Sequence, residues 1–102
     1  MKKPQLSVVM PTYNCQKYIG RAIESILEQT FKNYEFIIID DASTDKTLSI
    51  IRSYARKDKR IRVIRNKKNL QIARSLNKGI GYAVTDLIIR MDSDDISYPT
   101  RL

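Results

Sequence analysis

The sequence predicts an α/β fold in which helices cover both faces of a parallel sheet. Four short apolar runs rich in β-branched residues have the character of buried strands, and three segments with helical spacing alternate with them. The order is therefore βαβαβαβ, which is typical of parallel strands joined by right-handed crossovers. With 102 residues, 42% hydrophobic and 29% charged, the chain has the composition of one globular domain or part of one.

The first half of the chain provides two of the strands and a helix. Residues 6–10 are expected to form a buried strand that stops at Pro11, and a helix should run from residue 16 to between 29 and 32. Residues 35–39 form a continuous apolar run after Glu35, which suits the interior of a parallel sheet. The predicted core face of the helix consists of Ile19, Ala22, Ile23, Ile26 and Leu27.

The second half repeats the alternation. Ser43 or Thr44 is expected to cap the second helix, with Asp45 in its first turn. Residues 61–64 and 87–91 are predicted to be the third and fourth strands. The third helix lies between them, and its predicted core face consists of Ile72, Ala73, Leu76, Ile80 and Ala83.

The net charge of +8 suggests an anionic partner, which could be nucleic acid, a membrane surface or a phosphorylated small molecule. The cations concentrate between Lys46 and Lys78, where a solvated helix end and loop is the simpler interpretation. No nucleic-acid-binding signature accompanies them, so no nucleic acid partner is expected. No apolar run has the length of a transmembrane helix, and a single Cys15 fits a reducing, cytoplasmic setting.

Several classes of active site are excluded by composition. The chain has no His, so neither a Ser-His-Asp triad nor a His-based zinc site can form, and one cysteine cannot build a Cys-rich metal site. The phosphate-binding loop of ATPases and the G-x-G-x-x-G fingerprint of dehydrogenases are also absent. Hard carboxylate oxygens remain as the candidate chemistry.

Acidic clusters follow two of the predicted strands. Asp40 and Asp41 follow the second strand, and Asp92-Ser93-Asp94-Asp95 follows the fourth. Because the carboxyl ends of parallel strands share one edge, these side chains should lie near each other and near residues 11–14 and 65–66. Carboxylates gathered there suit Mg²⁺ or Mn²⁺ bridging to a diphosphate, whereas the alternative for each cluster is a solvated acidic turn.

Five motifs resemble the family 2 glycosyltransferases with the GT-A fold. They are SVVMPTYN at 7–14, IESILEQT at 23–30, IDDASTD at 39–45, the segment 69–79, and RMDSDDI at 90–96. The resemblance extends over nearly the whole chain in the family's order and spacing. It implies a truncated GT-A fold with a Rossmann-like sheet, in which residues 1–102 are the N-terminal nucleotide-sugar-binding part.

The resemblance also implies a reaction and its site. It implies inverting hexosyl transfer from a nucleotide-diphospho-sugar, commonly a UDP-sugar, to a glycan or lipid-linked acceptor, with Mn²⁺ or Mg²⁺ as cofactor and polysaccharide biosynthesis as the usual context. Pro11, Thr12 and Tyr13 would line the base pocket, and Asp41, with Asp40 beside it, would bond the ring edge. Asp92-Ser93-Asp94 would be the D-x-D motif, with Asp92 nearer the ribose, Asp94 on the metal, and Asp95 supporting them or facing the acceptor.

Two departures from the family limit the expectations. Gln71 stands where the family often has Gly, and it would be strained if the backbone there needs a positive φ. The family's catalytic domain continues well beyond the equivalent of Leu102 and carries the base there, so no catalytic residue is identified, and we expect little or no sugar transfer by this chain alone.

Self-association through the exposed edge of the fourth strand, and peripheral membrane contact of the parent protein, are further expectations. A non-catalytic nucleotide-binding or regulatory module is the alternative function, and a basic nucleic-acid or membrane-surface binder, with Lys46 to Lys78 as the contact region, is a third hypothesis.

Overall fold

The computed structural model describes residues 3–93 and confirms the βαβαβαβ order. None of its three helices in that range has the length and apolarity needed to cross a bilayer. The elements are β1 (Leu6–Thr12), α1 (Ile19–Leu27), β2 (Tyr34–Asp40), α2 (Thr47–Lys57), β3 (Ile61–Arg65), α3 (Ile72–Tyr82) and β4 (Ile88–Arg90).

The four strands form one parallel sheet in the order β3-β2-β1-β4. Every residue of β1 and β2 is buried, because these central strands have a neighbour on each side and helices on both faces. Within residues 3–93, β3 and β4 are the two edges of the sheet. Self-association through the β4 edge stays a prediction.

The sheet separates two apolar layers. Side chains alternate between the faces along each strand, so that Val8 and Met10 pack with α1 and α2, whereas Val9 packs on the opposite face with α3. The same alternation continues on β2, where Phe36 and Ile38 join the first layer and Ile37 joins the second. Helices therefore cover both faces, as the strand pattern predicts.

Pro11 does not end β1, which continues to Thr12. The backbone N–H of Ser7 bonds to the C=O of Leu87, and the C=O of Val9 accepts from Met91, so the backbone groups of these alternate residues point towards β4. The nitrogen of Pro11 points to the same side, beyond the end of β4. The missing N–H therefore removes no ladder hydrogen bond.

The predicted cap of α2 is wrong. The helix begins at Thr47, and Ser43 and Thr44 bond instead to Asn14 in the loop after β1. Asp45 takes the capping role from just before the helix, because its Oδ1 accepts hydrogen bonds from both the N–H and the hydroxyl of Thr47.

The predicted core face of α3 is also partly wrong. Ser75 and Gly79 are its buried residues, whereas Ile72 and Ile80 are exposed. A Cβ placed on Gly79 would lie 2.3 Å from Cδ1 of Ile39 and 2.7 Å from Cγ1 of Val9. The absence of a side chain at Gly79 thus sets how closely α3 approaches the sheet, and the helix turns its small residues inward.

Candidate functional site at the carboxyl edge of the sheet

The candidate site begins where β1 and β2 end side by side. Thr12 and Asp40, their last residues, are register partners in the parallel ladder. The chain segments stay side by side just beyond the two strands, since the N–H of Asp41 donates to the C=O of Thr12. Tyr13 and Asp41 therefore emerge at one edge of the sheet, with Tyr13 41% exposed.

Two adjacent clefts contain most of the predicted site residues. The first, of about 420 Å³, is lined by Pro11, Asn14, Cys15, Tyr18, Ile72, Asp92 and Ser93. The second, of about 370 Å³, is lined by Tyr13, Asp41, Asn69, Gln71 and Ile72. Both volumes lie in the range of small-molecule sites, and Ile72 lines both clefts. We refer to them as the Asp92 cleft and the Tyr13 cleft.

Asp41 is the most heavily bonded residue of the Tyr13 cleft. Its Oδ1 accepts from the N–H of Leu70 at 2.7 Å and from Nδ2 of Asn66 at 2.8 Å, and its Oδ2 accepts from the N–H of Gln71 at 3.0 Å. Burial by itself raises the pKa of this carboxyl, but these hydrogen bonds and one from Ser75 outweigh burial and hold the pKa below its ordinary value. Asp41 is therefore an ionised anchor for the loop that precedes α3.

Asn66 extends this network towards a cation. Its Nδ2 donates to Ser75 Oγ as well as to Asp41, and its Oδ1 accepts from Nζ of Lys78 at 2.7 Å. Asn66 is buried, so each of these bonds satisfies a group that water does not reach. The first residue after β3 thus connects the Tyr13 cleft to α3.

Thr12 and Asp40 lie beneath the clefts instead of lining them. Both are fully buried, and Oδ2 of Asp40 accepts from the N–H of Ser43 at 3.2 Å. Within residues 3–93, the other oxygen of Asp40 and the Thr12 hydroxyl have no hydrogen-bond partner. The two residues therefore support the floor of the site.

The loops after β1 and β2 are bonded to each other. Asn14 bonds through its N–H to Ser43 Oγ and through its side chain to Thr44, and the N–H of Cys15 donates to Oγ1 of Thr47 at 2.8 Å. The N–H of Gln16 donates in turn to Asp45. These bonds fix the conformation of Asn14 and Cys15, which line the Asp92 cleft.

Three residues at this edge have a positive φ: Asn14 at 48°, Ala42 at 59° and Gln71 at 76°. Gln71, with ψ 157°, occupies a region that is essentially reserved for glycine, which confirms the strain expected from the departure at this position. Strained backbone clusters where a structure holds functional groups in place. All three residues stand next to or within the clefts.

The acidic motif after β4 is described as far as Ser93. Asp92 is exposed and pairs with the exposed Arg90 at 3.2 Å, a weak surface ion pair that leaves its carboxylate accessible. Ser93 is buried and contacts the thiol of Cys15. Asp94 and Asp95 lie outside the described residues. Among residues 3–93 no group of three His, Cys, Asp or Glu side chains could hold a metal.

The sequence reasoning missed several lining residues. In the sequence, Cys15 indicates only a redox setting, and the helical spacing of Ile72 predicts a core position. Asn69 belongs to a polar loop and to a family motif, neither of which assigns it to a cleft. Gln71 gives a signal, because its departure from the family pattern points to the loop before α3.

Comparisons with known proteins identify the family. A family model described as Glycosyl transferase family 2 matches residues 7–102. EpsE of Bacillus subtilis (strain 168), provisionally described as a glycosyltransferase, is 49% identical over 100 residues, which cover 97% of this chain and 36% of EpsE. The glycosyltransferase GlyG of Streptococcus pneumoniae serotype 4 is 41% identical over 91 residues, covering 89% of this chain and 30% of GlyG.

Solved structures have the same fold. Staphylococcus aureus TarS 1-349 in complex with UDP-GlcNAc superposes with a TM-score of 0.86 at 32% identity, over 93% of this chain and 28% of that one. The mannosyltransferase PcManGT from Pyrobaculum calidifontis, in complex with GDP-Man and Mn²⁺, superposes with a TM-score of 0.84 at 26% identity, over 93% of this chain and 29% of PcManGT. The chain spans about a third of the length of the curated relatives it matches. It belongs to glycosyl transferase family 2 and has the Rossmann-like parallel sheet of the GT-A fold.

Proposed function

We propose that this chain binds the donor of a glycosyl transfer reaction, a nucleotide-diphospho-sugar of the UDP-sugar class. The observation that carries the proposal is the placement of Tyr13 and Asp41 in one cleft, next to a second cleft with Asp92 and Ser93. An aromatic ring beside a carboxylate suits a nucleobase, and an exposed carboxylate nearby suits a metal-bound diphosphate. TarS is in complex with UDP-GlcNAc, a UDP-sugar, and PcManGT with GDP-Man, which is also a nucleotide-diphospho-sugar.

The Tyr13 cleft is the proposed base pocket. Tyr13, next to Pro11 and Thr12, offers an exposed ring for stacking, and Asp41 offers a carboxylate for an N–H of the base. Asp41 already accepts hydrogen bonds from Asn66, Leu70 and Gln71, and one from Ser75, which fix it in position. These bonds occupy its roughly four lone-pair sites, so in this proposal an N–H of the base replaces one of the present donors. In this proposal Asp40 supports Asp41 from below.

Asp92 and Asp94 are the proposed ligands of Mn²⁺ or Mg²⁺. These ions bind through one or two carboxylates and complete their shells with water and phosphate oxygens, so the exposed Asp92 carboxylate fits without a closed protein cage. When bound, the ion neutralises charge on the departing nucleoside diphosphate. Ser93 between the two aspartates is held by Cys15, so the motif's backbone is fixed on one side.

The acceptor side of the reaction is proposed to lie outside this chain. Because the chain covers about a third of its curated relatives, we place the carboxylate base of an inverting displacement and the binding site for a glycan or lipid-linked acceptor in the part that it does not match. We expect the isolated chain to bind donor with little or no transfer. Cell-surface polysaccharide synthesis is the context we propose.

Calorimetric titration of UDP tests the proposal. We expect binding in the presence of Mn²⁺, and a loss of about tenfold or more when Asp92→Asn removes one charged ligand. Asp86→Asn is the matched control, since Asp86 is an exposed aspartate before β4 and outside both clefts. Equal binding with EDTA would favour a non-catalytic nucleotide-binding module, and no binding under either condition would contradict the proposal.

A further inference from the structure

We propose that the edge strand β3 and the loop after it form a docking surface for a membrane containing anionic phospholipids. We call this surface the β3 edge, and it comprises residues 59–68 together with the cations of α3. The proposal depends on the distribution of charge in the sequence, on the pairing of those charges in the structure, and on the side chains beside them.

The net charge of the chain is concentrated in one segment. Residues 59–85 contain eight Lys and Arg and no Asp or Glu, whereas the rest of the chain contains eleven of each. The +8 net charge is therefore the charge of β3, α3 and their connections. A net charge concentrated in one part of a fold creates a directed electrostatic field, which a uniformly basic surface would not.

Most of these cations have no acidic partner among residues 3–93. Arg60 pairs with Asp58 at 2.7 Å and Arg62 with Glu35 at 3.0 Å. Within residues 3–93, none of the other six is within ion-pair distance of a carboxylate, and Lys78 bonds only to the neutral Asn66. These six are Lys59, Arg65, Lys67, Lys68, Arg74 and Lys78. Their charges remain available to an external polyanion.

The cations gather in two clefts, one at each end of β3. The cleft at the carboxyl end is lined by Arg65, Lys67, Lys68 and Lys78, with Asn66 and Leu70. The groove at the amino end is lined by Lys32, Lys59 and the acid-paired Arg60 and Arg62, together with Glu35. A strand of five residues is about 17 Å long, so the charge forms a stripe along the sheet edge. A stripe suits an extended anionic surface better than a single small anion.

Neighbouring side chains favour a membrane over nucleic acid. Val84, 67% exposed, lines the amino-end groove beside Lys59, and Tyr82 is also exposed. Aliphatic and tyrosine side chains among cations are typical of surfaces that enter the headgroup region. Binding of single-stranded nucleic acid would need open aromatic faces, whereas the Tyr82 ring faces the guanidinium of Arg62 at 5.9 Å.

Docking on the β3 edge would place the donor clefts beside the bilayer. Lys78 in the carboxyl-end cleft bonds to Asn66, and Asn66 bonds to Asp41 in the Tyr13 cleft. One consequence rests on the proposed function: a lipid-linked acceptor held in the same bilayer would approach the donor from this side.

Vesicle co-sedimentation tests the surface without nucleotide or metal, so its outcome is independent of the donor titration. The chain is mixed with vesicles of phosphatidylcholine alone or with about 30% phosphatidylglycerol. We expect binding only to the anionic vesicles, and a loss of about fivefold per cation removed, hence about 100-fold for the triple variant Arg65→Gln, Lys67→Gln, Lys68→Gln. The matched control Lys17→Gln, Arg21→Gln, Arg52→Gln removes the same charge from exposed positions on or beside α1 and α2.

Three results would overturn the proposal. The first is equal loss in the two triple variants, which would show that only net charge matters. The second is absence of binding to anionic vesicles at low salt. The third is tighter binding to an RNA or DNA oligonucleotide than to the vesicles, which would make the β3 edge a nucleic-acid surface. Circular dichroism of each variant establishes that the fold is intact.

Discussion

The thiol of Cys15 is in hydrogen-bond contact with the hydroxyl of Ser93, and this contact joins the loop after β1 to the acidic motif after β4. Cys15 is itself fixed, because its N–H donates to Thr47 at the start of α2. Ser93 lies between the two proposed metal ligands, Asp92 and Asp94. A residue outside the acidic motif thus positions its backbone.

Removing this contact should weaken donor binding more than it weakens the fold. We expect Cys15→Ala to lower Mn²⁺-dependent UDP affinity by about three- to tenfold, the value of one hydrogen bond, with a smaller change in the free energy of unfolding. Cys15→Ser keeps a donor and acceptor and should restore much of the affinity. Titration and thermal unfolding of the three proteins provide the comparison. An alanine variant that binds UDP like the wild type would show that the contact does not position the motif.

Gly79 should be intolerant of even one methyl group. We expect Gly79→Ala to destabilise the fold by about 1–3 kcal/mol, because its Cβ would overlap Ile39 and Val9 in a packed layer. Gly81→Ala is the control two residues along the same helix, where a Cβ meets nothing within 4 Å. That substitution should stabilise α3 by up to about 1 kcal/mol through helix propensity. Urea unfolding measures both, and destabilisation of similar size in the two variants would contradict the close approach of α3.

Gln71→Gly should stabilise the protein. The present backbone at Gln71, φ 76° and ψ 157°, costs about 1–3 kcal/mol for a residue with a Cβ, and glycine relieves this at a smaller entropic cost. We expect a net gain of about 1 kcal/mol, or roughly 4–8 °C in Tm for a chain of this size. Gln71→Ala removes the side chain but keeps the Cβ, so it should bring no gain. If alanine stabilises as much as glycine does, strain is not the cause.

Glu35 should make stability depend on acid pH. Burial raises the pKa of this carboxyl, but hydrogen bonds from Ser7, the Val84 N–H and Arg62 outweigh it and hold the pKa below its ordinary value of 4.5. The stability that Glu35 contributes is therefore complete at pH values above the pKa of this carboxyl in the unfolded chain. It is lost as the pH falls from about 4.5 through the lower pKa of the folded state.

The variant Glu35→Gln separates this contribution from the rest. We expect it to cost about 2 kcal/mol at pH 7, because a buried charged acceptor is lost, and to differ less from the wild type at pH 3. Glu28→Gln, at an exposed position after α1, should behave like the wild type at both values. Chemical denaturation at the two pH values provides the test, and a constant difference between Glu35→Gln and wild type would refute the linkage.

The order of strands and helices along the chain, and the edge that carries the site, were predictable from local pattern. Buried strands such as residues 35–39 have an unambiguous composition, and the alternation with helices fixes their parallel direction. The edge that gathers Tyr13, Asp41 and Asp92 follows from that direction alone. The position of Asp92 and Ser93 near the end of β1 is therefore predictable without any contact information.

What could not be predicted depends on contacts between distant residues. The Cys15–Ser93 pair is separated by 78 positions, and no local pattern encodes it. The helical period placed Ile72 and Ile80 in the core, but close packing at Gly79 rotates α3 towards its small residues. Ser43 and Thr44 have cap chemistry, yet Asn14 from another loop competes for them. In each case a contact with a residue distant in the sequence determines the local structure.

The most direct test of the central claim is the position of Mn²⁺ in the complex with UDP. Paramagnetic broadening of backbone amide signals reports which residues lie near the ion. We predict that broadening requires UDP, is strongest at Asp92, Ser93 and Cys15, and is weaker at Tyr34 and Glu35 near the amino ends of the strands. Broadening strongest at those amino ends, or none at the Asp92 cleft with UDP bound, would contradict a donor site at the carboxyl edge.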